Sequence, residues 1–489
     1  MKEFLLLLPE LFLLLTLAGI IIGEIGYRGE KIRLTSATAL IGLVGAFVQT
    51  LLTYQYGATQ IFHGAVAVDG LALFFKLFFI LLALLTIGTS VRAKEIAAEK
   101  RAEYYGLVIA STIAMCFVAS ASDLLLVFLS LQLMNVLSYF LAALGKKSSY
   151  SAEAAIKKMA FGSLAAVLLL YGIGILFAYT RVLNIQEMHK VLTAAPLAKD
   201  IGAVVFMLIF LALSFQIGAF PMHLWAPDVL EGAPTPASAF ISVGSRAAGF
   251  ALALRFFIIV FAQPVLSEGE WTPLGGFDWT KVVALISGLT MVIGSLLAFR
   301  QVGAKRLVAC LVVAQTGFLL MGLLVLDRIG IASLLYNLVI ELFALVGVFY
   351  VISFFVDELN SDRLEDLKGM LAKRVPESIA LILFLACLVG VPPLPGFIGK
   401  FTLIGAVISH QWYSLAAIAI IAIAIGTIAT ARLAFSLVGD FRKQKEELIL
   451  PDTARTVSLL LLFIPMLLAG VFAQTLLSWA VQSLNFVIW

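Results

Sequence analysis

Lys400 closes the run Gly396-Phe397-Ile398-Gly399-Lys400, and apolar sequence continues on its far side. An amine held in such surroundings can take up and release a single proton, which makes Lys400 a candidate relay; the competing reading is a cation that snorkels to an interface. Glu341 lies within the apolar stretch from Leu334 to Tyr350. Ser333, Asn337 and Glu341 recur every four residues, so on a helix they form one polar stripe. A carboxyl on that stripe can carry protons or hydrogen-bond a neighbouring helix. Arg246 stands near Ser242, Ser245 and Gly249. Guanidinium does not deprotonate in a protein, so it can hold charge or order water but cannot pass on its own proton. Gln132, Asn135 and Tyr139 align at helical spacing, and Gln216 precedes a cluster of prolines; such neutral groups more often bridge helices than line a conduit. Lys157 and Lys158 open another apolar run, where anchoring at the basic side competes with a buried role, and Lys76 and Arg255 share that ambiguity. Asp228 and Glu231 read as solvated or helix-capping groups.

Membrane helices must position these groups. The 489 residues are 62% hydrophobic and only 13% charged, an imbalance that excludes a water-soluble globule of this length. Phe4 to Gly23, Val66 to Ile87 and Val457 to Leu477 are each about 20 residues of mainly apolar sequence, enough to cross a hydrocarbon core of about 30 Å. Cutting at polar clusters predicts an all-α polytopic protein with about 14 spans. They run approximately 4–23, 34–53, 66–90, 104–120, 123–144, 156–180, 201–222, 236–262, 280–299, 305–326, 330–355, 376–408, 413–438 and 456–486. The first reads as a retained helix rather than a cleaved signal. Basic residues test the count, because they should gather in alternate loops. They do: Arg28, Lys31 and Arg33; Arg92, Lys94, Lys100 and Arg101; Lys146 and Lys147; Arg300, Lys305 and Arg306; Arg363, Lys368, Lys373 and Arg374; Arg442, Lys443, Lys445 and Arg455. This partition puts both termini outside the cytoplasm, and the net charge of +4 reports orientation rather than binding to nucleic acid.

Two spans carry breaks. Pro221, Pro227, Pro234 and Pro236 interrupt Phe210 to Phe240, and Pro392, Pro393 and Pro395 with Gly390 and Gly396 interrupt Ser378 to His410. Proline removes a donor and blocks the preceding turn, so each segment should be a discontinuous helix whose freed carbonyls face protein or water. The breaks lie about five helices apart, the arrangement of an inverted-repeat transporter with its pathway near the midplane; simple kinks are the plainer alternative. Cys116, Cys310 and Cys387 sit in apolar segments without metal-ligand or disulfide spacing, and no nucleotide or redox motif accompanies them.

The stretch Phe220-Pro221-Met222-His223-Leu224-Trp225-Ala226-Pro227-Asp228, continued by Glu231-Gly232-Ala233-Pro234-Thr235-Pro236, resembles the subunit N family of respiratory complex I, called subunit 2 in mitochondria. Ser242 to Phe250, Lys305-Arg306-Leu307 and Val391 to Phe401 extend the likeness over nearly the whole chain. The first motif separates this family from the related L and M subunits and from multisubunit cation/proton antiporters. The resemblance implies a non-redox, antiporter-like membrane-arm subunit of a proton-translocating NADH:quinone oxidoreductase. Residues 1–103 would hold helices one to three, 104–262 and 280–438 two inverted five-helix repeats with helices seven and twelve broken, and 439–489 the last helix. FMN, iron-sulfur clusters and quinone would belong to other subunits, with no cofactor or metal in this chain. Expected partners are the other membrane-arm subunits, especially the M-type and small K/J-type ones, together with lipids. The expected location is an energy-transducing membrane, the bacterial cytoplasmic one.

In such subunits protons are thought to follow a hydrated axis of buried Lys, Glu and His, and several of those positions depart here. The glutamate usual on helix five corresponds to Gln132, its lysine partner on helix seven to Gln216, the helix-eight lysine to Arg246 and a helix-ten histidine to Gln315. Lys157 and Lys400 match family lysines; Glu341 has no family counterpart in this likeness. Losing one member of a buried ion pair would strand its partner, whereas exchanging both for amides can be nearly neutral, so the change to Gln132 and Gln216 is coherent. The resulting expectation is that the first repeat lacks its titratable switch and that Lys400, with Glu341, exchanges protons. The alternatives are a subunit of a cation/proton antiporter and a non-conducting scaffold.

Overall fold

A computed structural model describes residues 2–26, 31–145, 148–265, 269–274, 277–438 and 452–484. Arg28, Lys146, Lys147, Arg442, Lys443 and Lys445 lie outside the described residues, as does the end of the last expected span.

The spans are α1 (Leu8–Gly26), α2 (Lys31–Thr53), α3 (Gly70–Ser90), α4 (Arg101–Ser120), α5 (Leu124–Ala143) and α6 (Ser148–Thr180). Next come α7 (Lys199–Ile217), the short α8 (Trp225–Gly232), α9 (Thr235–Phe261), α10 (Trp279–Arg300), α11 (Ala304–Leu324) and α12 (Arg328–Leu359). The chain continues through α13 (Val375–Val389), α14 (Pro395–Ser409), α15 (Tyr413–Val438), α16 (Thr453–Val471) and α17 (Ala473–Ser483). Among the described residues, thirteen segments, α7 and α8 being taken together, are long and apolar enough to cross a membrane. The shorter α13 and α14 jointly make a fourteenth crossing.

Three expected boundaries shift for local reasons. The span expected from residue 66 begins at Gly70, because Val66–Val68 pairs as a strand with Thr59–Ile61 and Asp69 caps α3 by accepting from Ala72 N. Acid side chains cap other starts in the same way, Asp123 at α5 and Asp327 at α12. The first span starts at Leu8, behind a separate turn of helix at Lys2–Leu6. The last expected span is two helices, α16 and α17, joined at Phe472.

Both expected breaks are present. α7 ends on Gly218 and α13 on Gly390, each with positive φ (74° and 91°), the left-handed cap that glycine adopts without strain. Pro221 follows the first cap in a cis peptide with Phe220, and Pro392 and Pro393 follow the second, joined by a cis peptide. Both arrests are backed by buried helices, α9 being buried at every one of its 27 positions and α11 at all but Arg306, while Val391, Pro392 and Pro393 of the second break are themselves exposed on the surface of the chain.

The basic loops meet at one end. Arg92 pairs with Asp452, Arg374 lies 3.2 Å from Glu358, and Lys305 lies 3.9 Å from Glu95, whose carboxylate also accepts from Thr235. The two hairpin-like strand pairs and the bridges between Val66 and Ala121, Asp123 and Asn184, and Glu270 and Asp327 lie among the intervening loops. Of the basic clusters, Arg92, Lys305, Arg374 and Arg455 are thereby gathered toward one end of the bundle.

Candidate functional site

Stopping a helix inside a membrane frees its last carbonyls, which must find donors. Side chains supply them at both breaks. At the end of α7, the Trp225 indole N–H donates to Phe215 O (3.0 Å) and the Thr316 hydroxyl to Ile217 O (2.8 Å). At the end of α13, Gln315 Nε2 donates to Leu388 O (2.9 Å) and Lys400 Nζ to Val389 O (2.8 Å). Gln315 and Thr316 are neighbours on α11, so this helix, buried at every position but Arg306, stands between the two breaks and serves both.

The charged groups lie along the same level. Arg246 on α9 and Glu341 on α12 form an ion pair with Nη2 2.5 Å from Oε2, both side chains being almost inaccessible. Arg246 also donates through Nη1 to Val312 O at 3.3 Å. Lys400 on α14 is buried, with its ammonium 4.5 Å from the ring centre of Phe318, and Asn337, one turn from Glu341, packs against Gly399. Neither Glu341 nor Lys400 faces lipid. A salt bridge in such surroundings is held because either charge alone would be far more costly to bury.

The amides behave as structural groups. Gln216 Nε2 donates to Ser245 O at 3.1 Å, tying the end of α7 to α9, and Gln315 closes the end of α13. Gln132 is half-buried on α5, while its neighbour Asn135 is buried. A cavity of about 10 Å³, on the scale of a single water, is bordered by Gln216, Trp225, Ser242, Arg246 and Thr316. A larger hollow of about 250 Å³ opens at the basic end among Arg92, Tyr350, Ser353, Asp357, Glu358, Arg374 and Arg455. It reaches Ala239 on α9 and Val346 on α12, about two turns from Arg246 and about one and a half from Glu341.

One expected site residue lies elsewhere. Lys157 points out of the row to Glu153 (2.8 Å) and Asp228 (2.6 Å), on the partly exposed basic side. Adjacent residues on a helix face about 100° apart, and it is Lys158 that turns inward. Its ammonium lies 4.6 Å from the ring centre of Trp225, fully buried and without a hydrogen-bond partner among the described residues. Asp228 and Glu231 are engaged rather than free in solvent: Arg306 approaches both, at 3.0 and 2.6 Å.

Two further buried pairs went unassigned in the sequence. Lys76 on α3 meets Glu10 on α1 at 2.6 Å, both fully enclosed. Arg255 on α9 makes a two-pronged contact with Asp69, 2.8 Å on each side, and donates to Ala119 O. Mid-span charge was the signal for Lys76 and Arg255; nothing in the spacing of Glu10 or Asp69 named them as partners.

Residues 121–426 match the family described as NADH:quinone oxidoreductase/Mrp antiporter, TM. The NADH-quinone oxidoreductase subunit N of Chlorobium chlorochromatii is 34% identical over 421 residues, covering 83% of this chain and 80% of that protein. A chain of respiratory complex I from Thermus thermophilus, solved with bound aureothin, superposes with a TM-score of 0.78 at 25% identity over 96% of this chain and 98% of its own. The fold is also shared with a chain of the Mrp complex from Dietzia sp., with a TM-score of 0.82 at 19% identity over 97% and 96% of the two chains.

Proposed function

Since this chain belongs to the NADH:quinone oxidoreductase/Mrp antiporter family of membrane subunits, we propose that it works as a subunit N of a proton-translocating NADH:quinone oxidoreductase. It is a non-redox component of an energy-transducing membrane, assembled with other membrane-arm subunits, and its own part in the reaction is to move protons while electrons reach quinone elsewhere. FMN, iron-sulfur clusters and the quinone site are assigned to those other subunits. The helices divide into three leading spans, two five-helix units each with one broken helix, and a closing span; the bacterial cytoplasmic membrane, with both termini outside the cytoplasm, is the proposed setting.

One observation carries the proton reading: Arg246, Glu341 and Lys400 are enclosed at the level where two helices stop. Ionisable groups at that depth are costly and are retained where charge or protons must be handled. Arg246 supplies a fixed positive charge. Glu341 balances it and can accept a proton, and Lys400 can release one, so a proton leaving Lys400 changes the charge that Glu341 experiences. The hollow at the basic end supports a wet approach to this pair from that side.

The scaffold reading draws on Gln216 and Gln315, which bind backbone where a family pathway would carry titratable groups. Proton uptake per NADH oxidised, measured in membrane vesicles holding the intact complex, separates the two. Lys400→Met should lower that ratio while the complex still assembles. An unchanged ratio would establish the scaffold.

A further inference from the structure

We infer that Lys158 is the proton-exchanging group of the first helix break, taking over from the family lysine position that Gln216 occupies. This rests on the proton-translocating reading above and extends it to the half of the molecule whose switch is otherwise absent.

Trp225 connects the lysine to the break. One end of its indole closes the arrested helix by donating to Phe215 O, its ring carries the Lys158 ammonium at 4.6 Å, and the same residue borders the small cavity that Gln216 and Arg246 share. Lys158 thus stands one side chain away from the place where a helix-seven lysine would have pointed. The second break has the same construction: Lys400 lies against an aromatic ring, Phe318, at 4.5 Å and adjoins the end of an arrested helix. A cation–π contact stabilises an ammonium without holding it as a carboxylate would, so the group can still lose its proton.

Among the described residues, the acids on this side are each engaged by another base. Glu153 and Asp228 hold Lys157, and Asp228 and Glu231 hold Arg306. Tyr139, its hydroxyl lying against Gly162 one turn along α6, and His223, buried two residues before Trp225, are further titratable groups at this break. The lysine that satisfies the surface acids and the lysine that faces inward are therefore different residues, and a buried amine with no hydrogen bond among the described residues has no anchoring work to do at an interface. The step is simple in its balance: the ammonium gives one proton to water and later takes one from water, with no electron transferred.

The experiment uses the intact complex in vesicles and compares Lys158→Met, Lys158→Arg and Lys400→Met for NADH-driven proton uptake, NADH oxidation and amount of assembled complex. Arginine keeps the positive charge and the stacking on Trp225 but cannot release its proton. If Lys158 exchanges protons, both of its variants lose uptake per NADH to the same extent as Lys400→Met, with Lys158→Arg assembled at normal level. Full uptake in Lys158→Arg makes the residue a structural cation and overturns the inference, as does full uptake in Lys158→Met. Should Lys400→Met also retain full uptake, the wider proton reading falls; loss in Lys400→Met with none in the Lys158 variants removes only this assignment.

Discussion

Arg246 has no means of becoming neutral, so Glu341 must first answer its charge before any traffic passes. Removing only the acid, as in Glu341→Gln, leaves a guanidinium buried without its partner, a loss of about 3–5 kcal/mol. We expect a marked fall in the thermal midpoint of the purified complex and in the amount of subunit assembled. The double variant Arg246→Gln with Glu341→Gln should recover most of that stability while staying deficient in proton uptake. Recovery of uptake as well would make the pair purely structural. At this scale the sequence was informative about depth and poor about direction. Arg246, Glu341 and Lys400 were identified from charge in apolar runs, and all three are buried. Which of Lys157 and Lys158 faces inward could not be read, because both carry the same charge at the mouth of the same helix and only the position of Trp225 and Asp228 on a different element separates them.

A broken helix is useful only if its stump is held. The prolines and glycines announced the breaks, since their chemistry is local; the caps from Thr316, Gln315 and Trp225 stayed hidden, because each comes from a residue that looks like ordinary packing in its own helix. The approach of α14 to α13 supplies a test. A Cβ added at Gly396 would collide with the carbonyl of Cys387. Alanine exceeds glycine in helix propensity by about 1 kcal/mol, so on that ground alone Gly396→Ala would stabilise α14. Here the overlap with backbone should dominate, with about 1–3 kcal/mol lost to overpacking and Lys400 displaced from Val389 O. The expected result is reduced heat stability together with reduced proton uptake; a more stable and fully coupled variant would show that the two half-helices are free to part.

Across the whole molecule, buried ion pairs sort by task. Asp69 and Arg255 fasten α3 to α9 at one end of the bundle, away from the row formed by Arg246, Glu341 and Lys400. Asp69→Asn should therefore cost about 3–5 kcal/mol in stability, read as a lower thermal midpoint, yet the complexes that survive should take up protons per NADH at the unaltered ratio. A fallen ratio would extend the proton route into the leading three helices. The overall plan was legible because hydropathy, basic loops and proline clusters act over whole segments; the grouping of fourteen crossings around α9 and α11 was not, since it depends on which faces meet. That α9 is enclosed at every position, with two arginines aboard, bears on how the ribosome can deliver it. A nascent segment released sideways from the insertion channel meets acyl chains first, at about 2.5–3.5 kcal/mol for each mid-segment arginine. Asp69 has already been synthesised and awaits Arg255, but Glu341 emerges only after α10 and α11, so biogenesis must shelter this segment until the second half of the polypeptide arrives to receive it.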